Sequence, residues 1–414
     1  MTRFLTVLVY IFFTFSAYAQ DGIIKAAQDA FELYSVGNFE EAAYLFEETA
    51  QMMKENAEND ITGRMKVSLY AGLSFKETED YISALPWLKD AFELAAASGQ
   101  KAYAVNILSN IAETLRLKGD YKSAVENYLT AINYPHIEDR EKATLYYGLA
   151  ETYRLSGDYD SALETCAKSK ELSKDISMEK LYLSCSVVEG ESYRMKGDYA
   201  KSLQIFGVAL DISRARNYLD IAVASLNGLG LVSETLELTD AARSRFEEAL
   251  SLSLKNEDYD NVVLISGKII SLLPEKGTFS AKGDNIMQTV SLLEPLKDTV
   301  LDMALLKLAY SYYKISDSFD KMFISAENAY MKAISSSNDY EAAHALYGAA
   351  LALYGMEKYS EASNTLDEAI SRLKSSSSEN GLDKMYNLKN MCLSEIELLN
   401  KPSESFNNGG AFKE

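Results

Sequence analysis

The sequence is poor in the residues that usually carry chemistry. Two histidines occur in 414 residues. His136 follows Pro135 in a turn and His344 lies far along the chain, so they do not make a shared metal or acid-base site. No phosphate-cradling glycine loop, zinc-spaced Cys/His set or serine-nucleophile elbow is present. Five prolines and 21 glycines interrupt the chain rarely, and a hydrophobic content of 47% excludes a disordered chain. Positive charge is also scarce: 41 Lys and Arg against 61 Asp and Glu give a net charge of -20. That field repels phosphate backbones and anionic lipid, which excludes nucleic-acid or membrane-surface binding through bulk charge and favours neutral or basic partners. With so many carboxylates, acidic pairs arise by chance and none marks a catalytic site. No enzyme, cofactor or metal is expected.

What the chain does have is a motif written three times. Glu113-Thr114-Leu115-Arg116-Leu117-Lys118-Gly119-Asp120-Tyr121 returns at 151–159 and again at 191–199, each copy ending in Gly-Asp-Tyr. The glycine stops a helix by taking a left-handed conformation without a Cβ penalty, and the Asp offers an oxygen to the open N–H groups of the next helix. Each copy therefore predicts a helical hairpin. After the turn, an aromatic, a small residue three places on and an apolar residue four further share one face, as in Tyr121, Ala124 and Tyr128, so a neighbouring helix can approach closely.

The small residue after the turn serves as a ruler: Ala42, Ala84, Ala124, Ala162, Ser202, Ala242, Ala326 and Ala362. Its steps give a period of roughly 40 residues, with one double step that hides a degenerate unit. The preceding residues Tyr146, Leu149, Ala150 and Tyr153, leading into Gly157, Tyr159 and Ala162, resemble the tetratricopeptide repeat (TPR) family. The unit is longer than the family's common form of about 34 residues, and in this it resembles kinesin light chains and bacterial response-regulator-binding regulators. The resemblance implies an all-α fold, a right-handed superhelical solenoid of about nine antiparallel helix pairs with a C-terminal capping helix, spanning residues 20–400.

Taken in order, residues 1–19 read as a signal peptide: Arg3, then an apolar run from Phe4 to Phe15, then Ala17-Tyr18-Ala19 before Gln20, with cleavage after Ala19. The protein is expected to be exported, periplasmic or secreted, with no membrane insertion after signal removal. The first hairpin is predicted from about Ile23 to Val36 and Phe39 to Lys54, turning at Gly37-Asn38. The second turns near Asp80-Tyr81 and carries Pro86 near its second helix's start, where the lost amide is tolerated. Trp87 beside it reads as core or as a binding aromatic. The sixth unit has Leu238-Thr239-Asp240 in place of the turn code. The segment from Pro274 to Gly283 reads as a loop in the degenerate unit near 258–297. Ala342 to Met356 predicts a helix buried on most sides, Leu382 to Leu399 the cap, and 401–414 a disordered tail.

Three cysteines are present, Cys166, Cys185 and Cys392. Cys166 and Cys185 read either as a disulfide or as two separately buried thiols. The most suggestive site follows from the resemblance, which places one face of the first helices along a concave groove. The matching residues include Asn106, Glu113 and Arg116, then Tyr147, Glu151 and Arg154, then Glu191 and Arg194, with Ser109, Thr144, Ser184 and Val187 between them. Each Glu and Arg are three apart and meet on one helix. They read either as salt bridges or as a polar clamp for an extended peptide. The expected function is an exported, non-enzymatic scaffold that binds a protein or peptide; the alternative is a periplasmic sensory module of a bacterial signalling system acting through a separate output partner.

Overall fold

The computed structural model describes residues 21–174, 178–256, 258–273, 308–309, 311, 313–314, 318–335, 337–376 and 380–400. Among these residues there is no strand, and 17 helices are present. The chain divides into two compact bodies, Met1–Ile205 and Phe206–Glu414. In the first, α1 (Asp21–Ser35) pairs with α2 (Phe39–Asn56), α3 (Ile61–Glu77) with α4 (Tyr81–Ala97), α5 (Lys101–Leu117) with α6 (Tyr121–Ile132), and α7 (Asp139–Ser156) with α8 (Tyr159–Leu172). Next come α9 (Glu179–Met195) and α10 (Tyr199–Arg216), whose residues from Phe206 onward belong to the second body. That body continues with α11 (Leu219–Thr235), α12 (Thr239–Lys255), α13 (Tyr259–Ser271), α14 (Phe319–Ser335), α15 (Asp339–Gly355), α16 (Tyr359–Ser375) and α17 (Leu382–Asn400).

The hairpin turns follow from local chemistry. Gly119 takes φ +87°, its N–H donates to the Arg116 carbonyl at 3.0 Å, and the Asp120 N–H donates to the Leu115 carbonyl at 2.9 Å. These two bonds close the helix end with a left-handed residue. The Asp120 carboxylate then accepts from the Ser123 N–H at 3.2 Å and caps α6; Asp158 does the same for α8 from Ser161 at 3.1 Å. Where the glycine has drifted the geometry persists. Glu79, Glu237 and Glu357 hold φ +62°, +59° and +62° and close the same pair of backbone bonds. Hairpin packing therefore imposes a conformation that costs an L-residue about 1–2 kcal/mol.

The ruler residues form the spine of the core. Ala42, Ala84, Ala124, Ala162, Ala242, Ala326 and Ala362 are all fully buried, and so is Ser202, whose hydroxyl donates to the Gly190 carbonyl at 2.8 Å. Four residues after the ruler lies a second buried column with Phe46, Leu88, Tyr128, Cys166, Phe206 and Phe246. Burying each large member contributes about 1.5–3 kcal/mol. Several of these tips rest on first-helix glycines: a Cβ on Gly148 would lie 2.6 Å from the Tyr128 ring, and one on Gly228 would lie 2.3 Å from Phe206. Trp87 is half-buried against the clusters around Phe46 and Phe75, with Lys54 Nζ 5.7 Å from its ring centroid.

One expectation needs amendment. Pro86 is the sixth residue of α4, one turn further in than an amide without a helical partner, so it removes the donor for the Ile82 carbonyl. The cost is limited because Ile82 is exposed to water. The cap helix runs to Asn400, burying Met385, Leu388 and Cys392. α15 buries most of its length, as its Ala-rich sequence predicts. Among the described residues no helix is long and apolar enough to cross a membrane. The segments read from sequence as a signal peptide (1–19), as a loop from Pro274 to Gly283, as most of the degenerate unit and as the tail (401–414) lie outside the described residues.

Candidate functional site

The column proposed from sequence lies near the C-terminal ends of the first helices. Lys76, Arg116, Arg154, Arg194 and Glu234 each sit three residues before the left-handed turn residue, at equivalent places in successive hairpins. A cation there is favoured by the partial negative charge of the helix end. Arg154 donates Nε and Nη2 to Glu151 Oε2 at 3.1 and 2.7 Å; Arg194 binds Glu191 Oε2 in the same way at 2.9 and 2.8 Å. All four of these side chains are three-quarters or more buried. Glu151 and Glu191 therefore brace their own arginines.

Arg116 differs. Its Nη2 is 3.7 Å from Glu113 Oε1, because Lys76 reaches across from α3 and takes Glu113 Oε2 at 2.9 Å. Lys76 also donates to Asn110 Oδ1 at 3.4 Å, and Asn110 in turn donates to the Asn106 carbonyl at 2.9 Å. Two cations thus share one carboxylate, and the buried Nε–H of Arg116 has no acceptor. An unsatisfied buried donor costs about 1–3 kcal/mol.

The Arg116 side chain also meets the Tyr128 phenol, which rises from α6. Burial pushes that phenol up to about 12; Arg116 opposes the shift and Glu113 adds to it. Tyr147 stands on α7 within the fields of Arg116, Arg154 and Glu151, and burial pushes its phenol up as well. The structure thus brings Glu113, Arg116, Tyr147, Glu151 and Arg154 into one electrostatic neighbourhood, leaves Asn106 exposed at its edge, and keeps Glu191 and Arg194 as a self-contained pair on α9. Sequence reasoning missed Lys76 and Asn110, and it took Tyr128 only as a packing residue. The signal for Lys76 was its 40-residue offset from Arg116, masked by Leu73 standing where the later units have Glu.

Among the described residues no cluster of three or more His, Cys, Asp or Glu side chains is arranged to hold a metal. A cleft of about 180 Å³ opens between α6, α7 and α8 beside Tyr146 and Tyr153, and one of about 240 Å³ beside Tyr359 and Ile396. Both are smaller than the roughly 300–1,000 Å³ of small-molecule sites.

Comparison with known proteins agrees with the repeat reading. Residues 141–215 match the tetratricopeptide repeat model and residues 16–165 match that of soluble NSF attachment protein, SNAP. No curated protein matches the chain. Among solved structures, it is similar to a Rap protein complexed with competence and sporulation factor (12% identity, TM-score 0.44, covering 91% of this chain and 99% of that one). It is also similar to aspartyl phosphate phosphatase F from Bacillus subtilis (12%, TM-score 0.41, 97% and 99%) and to a putative kinesin light chain from Podosopora anserina (12%, TM-score 0.42, 48% and 99%). The described chain is thus a run of helical hairpins built on one buried spine, and residues 141–215 of it match the tetratricopeptide repeat model.

Proposed function

We propose that this repeat scaffold is exported and non-enzymatic, and that it binds an extended stretch of a protein or peptide along the polar column of its first helices. The observation that carries the reading is the imbalance at Arg116. Lys76 and Arg116 share Glu113, so this position has cationic donor capacity that its own carboxylate does not absorb. The exposed fifth of the Arg116 side chain can meet a peptide carboxylate or backbone carbonyl, and a planar guanidinium suits either. Tyr147 and Asn106 flank the position, while Arg154 and Arg194, braced by Glu151 and Glu191, line its continuation.

The test is affinity capture on immobilised protein from an envelope extract, with retained polypeptides identified by mass spectrometry and confirmed by direct titration. An Arg116→Met variant that remains folded is expected to lose the specific polypeptide. Retention of the same polypeptide at equal affinity would place the binding face elsewhere. The export half of the reading is tested separately: the protein recovered outside the cytoplasm is expected to begin at Gln20, and an intact Met1 there sinks it.

A further inference from the structure

Cys166 breaks the second buried column. The equivalent place holds Phe46, Leu88, Tyr128, Phe206 and Phe246 in other hairpins. In each of those a large side chain reaches toward a neighbouring first helix; in this hairpin a short thiol does so, and Cys185 meets it from α9. Both residues are fully buried. Cys166 Sγ lies 3.6 Å from the Cys185 carbonyl oxygen, Cys185 Sγ lies 3.2 Å from Ser169 Oγ, and the two residues share one buried cluster. Ser169 is itself anchored, donating to the Ala143 carbonyl at 2.7 Å.

We propose that Cys166 and Cys185 are a reversible modification site, a dithiol that a small-molecule disulfide oxidises to a covalent bridge between α8 and α9. Two thiols stand alone in one apolar cluster, with Ala150 and Val188 and with Tyr147 packed on it, so no other sulfur competes inside it. The Cys166 thiol donates to the Cys185 carbonyl, which fixes it against the start of α9. Both sulfurs are covered in the closed fold, so exchange proceeds before α8 and α9 close during folding, or when they part. With glutathione disulfide as oxidant, one of the two cysteine thiolates attacks a glutathione sulfur and releases glutathione thiolate, leaving a mixed disulfide. The other cysteine then loses its proton and attacks the protein sulfur of that mixed disulfide, releasing the second glutathione. Two protein thiols are oxidised, one glutathione disulfide is reduced to two glutathiones, and the two thiol protons pass to the departing thiolates. The bridge would pin adjacent hairpins directly beneath Tyr147. This site stands independently of the proposed ligand.

The test uses the full chain, unfolded in guanidinium and refolded across a series of glutathione to glutathione disulfide ratios, then acid-quenched, alkylated and mapped by peptide mass. The expected result is one intramolecular Cys166–Cys185 bridge that grows with the oxidising ratio, leaves Cys392 alkylated or glutathionylated, raises the melting temperature and is reversed by excess dithiol. Three alkylated thiols at the most oxidising ratio would overturn it. So would separate glutathione adducts on Cys166 and Cys185, or bridging to Cys392. The wild-type chain decides the outcome, and Cys166→Ala, if it folds, is expected to abolish the bridge.

Discussion

Gly148 and Gly207 are both helical glycines, and the fold assigns them opposite responses to alanine. An added Cβ at Gly148 would sit 2.6 Å from the Cζ and Oη atoms of Tyr128, about an ångström inside normal contact. The ring is nearly fully buried and its phenol meets Arg116, so it has no free direction of retreat. Overpacking of this kind costs about 1–3 kcal/mol, and displacing the phenol adds about 1 kcal/mol for the disturbed hydrogen bond. Alanine's helix propensity returns about 1 kcal/mol. The net expectation for Gly148→Ala is a destabilisation of about 2 kcal/mol. At Gly207 nothing lies within 4 Å of the new Cβ, so Gly207→Ala is expected to stabilise by about 0.8–1 kcal/mol. Guanidinium unfolding of both variants, with hydrogen exchange of α7 amides to localise the loss, measures the difference of about 3 kcal/mol. A double cycle with Tyr128→Leu is expected to recover most of the Gly148→Ala loss. Equal shifts of the same sign at both glycines, or no coupling to Tyr128, would refute the packing argument.

Other consequences are as direct. Glu237→Gly and Glu357→Gly relieve a left-handed L-residue and are expected to stabilise by about 0.5–1 kcal/mol, whereas Gly119→Ala at φ +87° is expected to cost about 1–2 kcal/mol; thermal unfolding reads both. Asp158→Ala removes the cap on α8 and is expected to cost about 1 kcal/mol, with fraying visible in the exchange of the Ser161 amide. The carboxyls of Asp80 and Asp120 are held below the ordinary 3.8 by hydrogen bonds from Ser83 and Ser123, and that of Asp198 by those from Lys201. A depressed folded pKa confers stability that is complete above the unfolded value and lost as pH falls through the folded one. Melting temperatures are therefore expected to be insensitive to these caps above about pH 5 and to fall below about pH 4, and carboxyl NMR titration assigns the loss to these three groups. A midpoint that rises on acidification over that range would contradict the assignment.

The repeat was legible in the sequence because its code is local. A glycine that ends a helix, an Asp that caps the next and an alanine three residues on act within one hairpin, so their spacing alone located α5 to α10. Where Glu79, Glu237 and Glu357 take the left-handed conformation in place of glycine, the alanine ruler still located the hairpins, because Ala84, Ala242 and Ala362 keep their packing place after the turn. Pro86 was placed in the right helix but assigned the wrong reason for its tolerance. The Glu and Arg partners of the candidate site were legible at three-residue spacing, whereas the Lys76 to Glu113 bridge joins residues in successive hairpins and depends on how those hairpins stack. Tyr128 was hidden for a related reason: a buried tyrosine and a buried phenylalanine satisfy one packing pattern, and only the neighbouring Arg116 gives the phenol an electrostatic role.

The charge order along the column separates structural pairs from the one position with capacity to spare. In the second body Glu234 occupies the place that Arg116, Arg154 and Arg194 hold in the first, and a carboxylate there opposes the helix-end charge. It is compensated by Lys268 from α13, whose Nζ lies 3.0 Å away. Whichever sign stands at this place, a partner of the other sign accompanies it, and that is the behaviour of bracing. Arg154→Met would leave Glu151, about one-fifth exposed, without its partner, and is expected to cost about 1 kcal/mol after allowance for solvent screening. Arg116→Met leaves Glu113 still bound to Lys76 but forfeits the contact with the Tyr128 phenol, so its expected cost is also about 1 kcal/mol. Ligand capture is expected to separate the two variants, weakened by loss of Arg116 more than by loss of Arg154. Paired melting and capture measurements on the two variants test that separation. If capture falls equally at both, or more at Arg154, the column is a brace along its whole length and the Arg116 imbalance has no bearing on binding.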